Sequence, residues 1–133
     1  MGPNRDDLWT VAQTIYGEAR GEPEAGKYAV AHVIANRARK HGIRPMDVCL
    51  QPYQFSCWLK SDPNRAVLGI LTLERGSFVA CLRVAVEVLA DLHEDNTHGA
   101  THYYAVSIPA PEWAKGHTPC ARIGNHLFFN DVS

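Results

Sequence analysis

The chain has 133 residues, 46% hydrophobic and 20% charged, and its 13 basic and 14 acidic side chains leave a formal net charge of -1. That length defaults to one domain over residues 1–133, with 1–5 as a flexible tail, able to bury roughly two thirds of its extended surface without disulfide or metal support. The composition excludes long disordered tracts, the charge balance disfavours nucleic acid as a partner, and no run reaches the ~18–20 apolar residues of a membrane span. MGPNRDDLW lacks the apolar stretch of a signal peptide, so a chain made in the cytoplasm is expected, and a monomer is the expected state.

The first periodic segment runs from about Asp6 to Arg20, where Leu8, Val11, Ala12, Ile15, Tyr16 and Ala19 share one helical face. Asn4 is a candidate N-cap, Asp6 and Asp7 suit the first-turn dipole, and Gly21 is placed to end the helix. A second helix is predicted almost at once, with Pro23 in its first turn and Gly42 at its end. Tyr28, Ala29, Val30, Val33 and Ile34 give it one apolar surface, and Ala25, Ala31, Ala35 and Ala38 line its other sides, which places it at the centre of the core. The basic run RARKHGIR at its end reads as solvated. From Arg44 to Arg75 the chain reads as a structured surface loop, with a short helix at Met46 to Leu50 and an aromatic run in QPYQFSCW. Helical periodicity returns from Ser77, a candidate cap, to about His93. THYYAV and HLFF have the aromatic, β-branched character of strands, so a small antiparallel β-hairpin near the C-terminus completes a mostly helical α+β domain.

The segment IYGEARGEPEAG puts Glu18 near the C-terminal end of the first helix, roughly 80 to 90° from the centre of the apolar face. A carboxyl group at that boundary, half wrapped by apolar neighbours and set against the negative end of the helix, is suited to donating a proton. The same position also serves a surface ion pair, the commoner role for such a carboxylate, and spacing does not settle between them. Glu22, between two helices, either caps the incoming helix or joins Glu18 in a cleft as the second carboxylate of a glycosidase pair, while Glu24 reads as a first-turn acid. Aromatic residues gather in two places, Tyr53, Phe55 and Trp58 in the loop and Tyr103, Tyr104 and Trp113 around the hairpin. They suit the C–H faces of sugar rings, and Gln54, Ser56, Asn64 and Asn96 offer hydrogen bonds, although core packing accounts for aromatic residues too. Gln54, Phe55, Ser56, Trp58, Tyr103 and Tyr104 are therefore candidate substrate-binding residues. No metal site is predicted from His93, His98 and His102, because Gly99 and the strand pattern separate them and no HExxH occurs. Cys49, Cys57, Cys81 and Cys120, widely spaced, read as buried free thiols.

Taken in order, IYGEARGEPEAGKYAVAHVIANRARK, QFSCW, GATHYYA, PEWA and IGNHLFF resemble, from about Leu8 to Phe129, the cell-wall hydrolase family typified by spore cortex-lytic enzymes of the SleB type, which also includes phage endolysins. The resemblance implies a lysozyme-like domain that cleaves the MurNAc–GlcNAc bond of peptidoglycan glycan strands, as a lytic transglycosylase or muramidase, without a metal or other cofactor. It carries the family's catalytic glutamate over to Glu18, as general acid and then base, with Glu22 as a second catalytic candidate. The implied partner is bacterial peptidoglycan, met in the host periplasm if the chain is a single-domain phage endolysin. Two rival readings remain open: a non-catalytic peptidoglycan-binding module, and a metal-dependent amidase or peptidase.

Overall fold

The computed structural model describes residues 2–52 and 54–133, so Tyr53 of the aromatic loop lies outside the described residues. Among these, the elements follow in the order α1 (Arg5–Ala19), α2 (Glu24–His41), α3 (Pro45–Leu50), α4 (Asn64–Leu68), α5 (Gly76–Leu89), β1 (His102–Ala105), β2 (Ala121–Ile123) and β3 (His126–Phe129), with 3₁₀ turns at Ser56–Trp58 and Glu112–Ala114.

Helix α1 starts where its cap dictates. The Asp7 N–H donates to Asn4 Oδ1 at 2.9 Å and the Asn4 N–H returns a bond to Asp7 Oδ2 at 3.0 Å, a capping box that brings Arg5 into the helix rather than the tail. Asp7 is fully buried and also accepts from the Arg44 guanidinium and the Met46 N–H, which ties α1 to the start of α3. Burial alone would raise the Asp7 carboxyl, but these donors outweigh it and hold it below the usual carboxylate range.

Helix α2 is the centre of the core, as its all-round small and apolar residues require: Ala29, Val30, Ala31, Val33 and Ile34 are fully buried. It packs against α1, α3 and α5, and α5 also lies along α1. Helix α5 ends at Leu89, short of the expected His93, because Asp91 turns left-handed at φ 61° and the Leu92 N–H folds back to Glu87 O at 2.7 Å. Ser77 does not cap it; the helix starts one residue earlier, at Gly76, with no side-chain cap bond.

The C-terminal hairpin is a three-stranded antiparallel sheet in the order β1-β3-β2. β1 and β3 pair as expected, Tyr103 opposite Phe128, but the tight connection joins β2 to β3 through Gly124 and Asn125. One sheet face packs Tyr103 and Phe128 toward Ala29 and Val33 of α2, and the other gathers Tyr104, Trp113, Phe129 and Val132. Among the described residues no helix is long and apolar enough to cross a membrane.

Candidate active site

Glu18 stands half-buried in the last turn of α1. Two separate segments meet its carboxylate. The 3₁₀ turn brings the Cys57 N–H to Oε2 at 3.3 Å, with Ser56 Oγ at a long 3.5 Å, and β1 brings the Tyr103 hydroxyl, a donor, to Oε1 at 3.1 Å. Burial, reinforced by the neighbouring Glu18, pushes the Tyr103 hydroxyl well above its ordinary range, so it stays protonated. Thr14 lies one turn before Glu18 on the same helical face and accepts from Trp58 Nε1 at 2.9 Å, and the Arg65 guanidinium lies 5.5 Å from the centre of that half-buried indole. The 3₁₀ turn comes this close because residue 17 has no side chain: a Cβ there would meet Cys57 Cβ at 2.6 Å and Sγ at 2.8 Å.

The structure thus assembles Glu18, Ser56, Trp58 and Tyr103, and separates them from the other candidates. Phe55 is 2% exposed and lies against the Arg37 guanidinium, so it packs in the core and offers no face to a sugar. Tyr104 points to the opposite sheet face, stacked on Phe129 and edge-on to Trp113, because neighbouring strand residues alternate. Gln54 is exposed but its Oε1 accepts from Arg37 at 2.8 Å. Asn64 accepts from Arg20 at 2.6 Å and Asn96 donates to Ala25 O at 3.0 Å.

Glu22 is engaged elsewhere. Its carboxylate takes the Asn125 N–H at 3.1 Å and the Asn125 amide at 3.4 Å, and Oε1 lies 3.0 Å from His126 Nδ1, both side chains 11% exposed. Gly124, at φ 57°, leaves room for it, since a Cβ there would lie 2.8 Å from Glu22 Oε1. Glu22 therefore clasps the β2–β3 turn to the α1–α2 junction. His126 in turn meets the Tyr103 ring edge-on at 5.1 Å.

Sequence reasoning missed three residues of this neighbourhood: Gly17, the Cys57 backbone and Arg37. Arg37, in the run read as solvated, is 8% exposed; its Nε donates to Thr101 O. Burial pushes its pKa down. His93 stacks on Tyr28 with its Nδ1 3.0 Å from His32 Nε2, and His102 packs against Trp113. All four cysteines are free, and burial pushes the Cys49 thiol up to about 12 and Cys81 up to about 11, which makes these two poor nucleophiles. A groove of about 730 Å³ between Pro3, Ala38, Ile43, Arg44 and Leu89 contains none of the candidate site residues.

A half-buried carboxylate whose two oxygens face donors from two other segments can exchange a proton with a bound molecule. The family model described as Cell Wall Hydrolase matches residues 21–129, a span that begins just after Glu18 and includes Glu22. This chain belongs to the cell wall hydrolase family. It is 30% identical to a spore cortex-lytic enzyme of Halalkalibacterium halodurans over 97% of this chain and 36% of that protein, and 28% identical to one of Bacillus subtilis over 96% and 38%. The chain thus spans well under half the length of these relatives. Among solved structures, the catalytic domain of the Bacillus cereus SleB protein superposes with a TM-score of 0.77 at 25% identity, covering 96% of this chain and 92% of that one. The catalytic domain of the germination-specific lytic transglycosylase SleB from Bacillus anthracis gives 0.74 at 25% identity, covering 96% and 97%.

Proposed function

We propose that this chain cleaves peptidoglycan glycan strands at the MurNAc–GlcNAc bond as a lytic transglycosylase, with Glu18 as general acid and then general base. The observation that carries the reading is the seating of Glu18, whose two oxygens face donors from two different segments while its side chain stays only half-buried. Membership of the cell wall hydrolase family and the named activity of the Bacillus anthracis relative support it.

In this mechanism Glu18 protonates the glycosidic oxygen as the bond to the muramic C1 breaks, leaving an oxocarbenium-like sugar and a Glu18 carboxylate. The Tyr103 O–H and Cys57 N–H stabilise that new charge. The muramic 6-hydroxyl then attacks C1 and gives its proton to Glu18, which closes the 1,6-anhydro ring and regenerates the acid. An attached nucleophile has an entropic advantage over water. An inverting hydrolase needs a second carboxylate to activate water, and Glu22, the residue best placed in sequence for that role, is committed to Asn125 and His126.

Mass spectrometry of borohydride-reduced wall digests tests the proposal: anhydromuramic ends run about 20 Da lighter than muramitol ends, because they neither take up water nor reduce. Glu18→Gln should lose at least ~10²-fold in product release with the fold intact. Muramitol ends alone would make the enzyme a hydrolase, and near wild-type release by Glu18→Gln would remove the acid–base assignment. Wall binding without any soluble product would favour a binding module.

A further inference from the structure

The two segments that meet Glu18 touch it from opposite oxygens, and neither belongs to α1. One buried side chain spans them. Arg37 of α2 donates from Nε to Thr101 O, two residues before Tyr103, and from a terminal guanidinium nitrogen to Gln54 Oε1 at 2.8 Å, three residues before Cys57. Its guanidinium carbon also lies 5.5 Å from the centre of the Phe55 ring. Among the described residues no carboxylate forms an ion pair with it. A buried guanidinium without a counter-ion is costly to fold, and a hydrophobic residue would fill the same core position at less expense. What the guanidinium adds is its rigid fork, which fixes the direction of one bond relative to the other.

We propose that Arg37 is a positioning residue for Glu18: by bridging the 54–57 turn to the lead-in of β1, it sets where the Cys57 N–H and Tyr103 O–H stand across the carboxylate. The inference rests on the reading of Glu18 as the acid–base group. Loosening the bridge lets the two donors drift apart, so the carboxylate loses its fixed direction and its stabilisation after proton transfer. Ser56 and Trp58 make no bond to Arg37, so their positions are left in place when the bridge is cut. The chemical step then suffers more than binding.

The test is steady-state kinetics on soluble glycan fragments, normalised to folded protein, for Arg37→Met and Arg37→Lys, each alone and with Tyr103→Phe. Arg37→Met should lower kcat about 10- to 100-fold with KM within about threefold, and Arg37→Lys, which keeps the charge but loses the fork, should fall nearly as far. In the Tyr103→Phe background Arg37→Met should cost no more than about threefold, because part of what it positions is already gone. Full multiplicativity, or wild-type kcat in Arg37→Lys, would overturn the proposal. If Arg37→Met does not fold, Gln54→Leu cuts only the exposed turn arm; it should lower kcat about 3- to 10-fold, and wild-type kcat there would equally refute the bridge. Glu18→Gln run in parallel keeps the two readings apart. Retained lysis by Glu18→Gln removes the acid–base assignment, whereas an inactive Glu18→Gln beside fully active Arg37 and Gln54 variants removes this inference alone.

Discussion

Gly17→Ala probes how the 3₁₀ turn is held against the carboxylate. In an open helix the change would stabilise the protein by about 1 kcal/mol, since alanine is the better helix former. Here the new Cβ would lie 2.6 Å from Cys57 Cβ, an atom that cannot swing away without its backbone, so the turn would have to withdraw by about 0.8 Å to reach the 3.4 Å of ordinary contact. Overpacking of this kind costs about 1–3 kcal/mol, which outweighs the propensity gain. A net loss of up to about 2 kcal/mol corresponds to a fall in Tm of several degrees for a domain of this size. The Cys57 N–H, already 3.3 Å from Glu18 Oε2, would move out of hydrogen-bond range, and loss of one donor should lower kcat on the order of tenfold. Thermal melts followed by circular dichroism and release of soluble glycan measure the two effects. Adding Cys57→Gly removes both clashing atoms, so the double variant should be more stable than the sum of the single changes by over ~1 kcal/mol. A Gly17→Ala protein that melts at or above wild type and retains its activity would refute the close-packing account.

The helices were legible because their signals are local and redundant. Asn4 ahead of two acids announces the start of α1, and a segment with alanine on every side left by its large apolar residues has nowhere to go but the core. Strand β2 was hidden: Ala121, Arg122 and Ile123 are too few to show alternation, and only pairing with β3 makes them a strand. Alternation did bear on Tyr103 and Tyr104, since adjacent strand residues face opposite ways and both could not reach one cleft. Glu18 was legible as a candidate, from its motif and its place at the edge of the apolar face. Its supporting residues were not, because Gly17 acts by what it lacks, Cys57 by its backbone, and Arg37 by contacts 17 and 64 residues away in sequence. A basic run at a helix end gives no sign that one of its members turns inward.

Glu22→Gln should cost about 1–3 kcal/mol, read from the denaturant midpoint, because it weakens a nearly buried contact with His126. Its kcat per folded molecule should stay within about threefold of wild type, and a 10²-fold loss without loss of stability would instead make Glu22 a second catalytic carboxylate. Stability should also fall with acidification in two stages. His102 is pushed down to about 4, chiefly by burial and further by Arg37, Lys40, His41 and His117. Its unfolded value is about 6.5, so between pH 6.5 and 4 the unfolded chain binds more protons than the folded one, and stability present above pH 6.5 is lost as pH falls. At about 1.4 kcal/mol per unit the upper bound is about 3 kcal/mol, reduced because the partly exposed ring is screened by solvent. His32, also pushed down by burial, adds to the same stage. Asp7, held low by its donors, contributes stability that persists until the pH drops below the ordinary carboxylate range, so its loss forms the second stage. Urea unfolding from pH 7.5 to 3.5 should therefore show a shallower decline between pH 6.5 and 4 for His102→Gln than for wild type, with the steep loss below pH 4 unchanged. Parallel curves above pH 4 would mean that His102 titrates alike in the folded and unfolded chain, and the burial argument for it would fail.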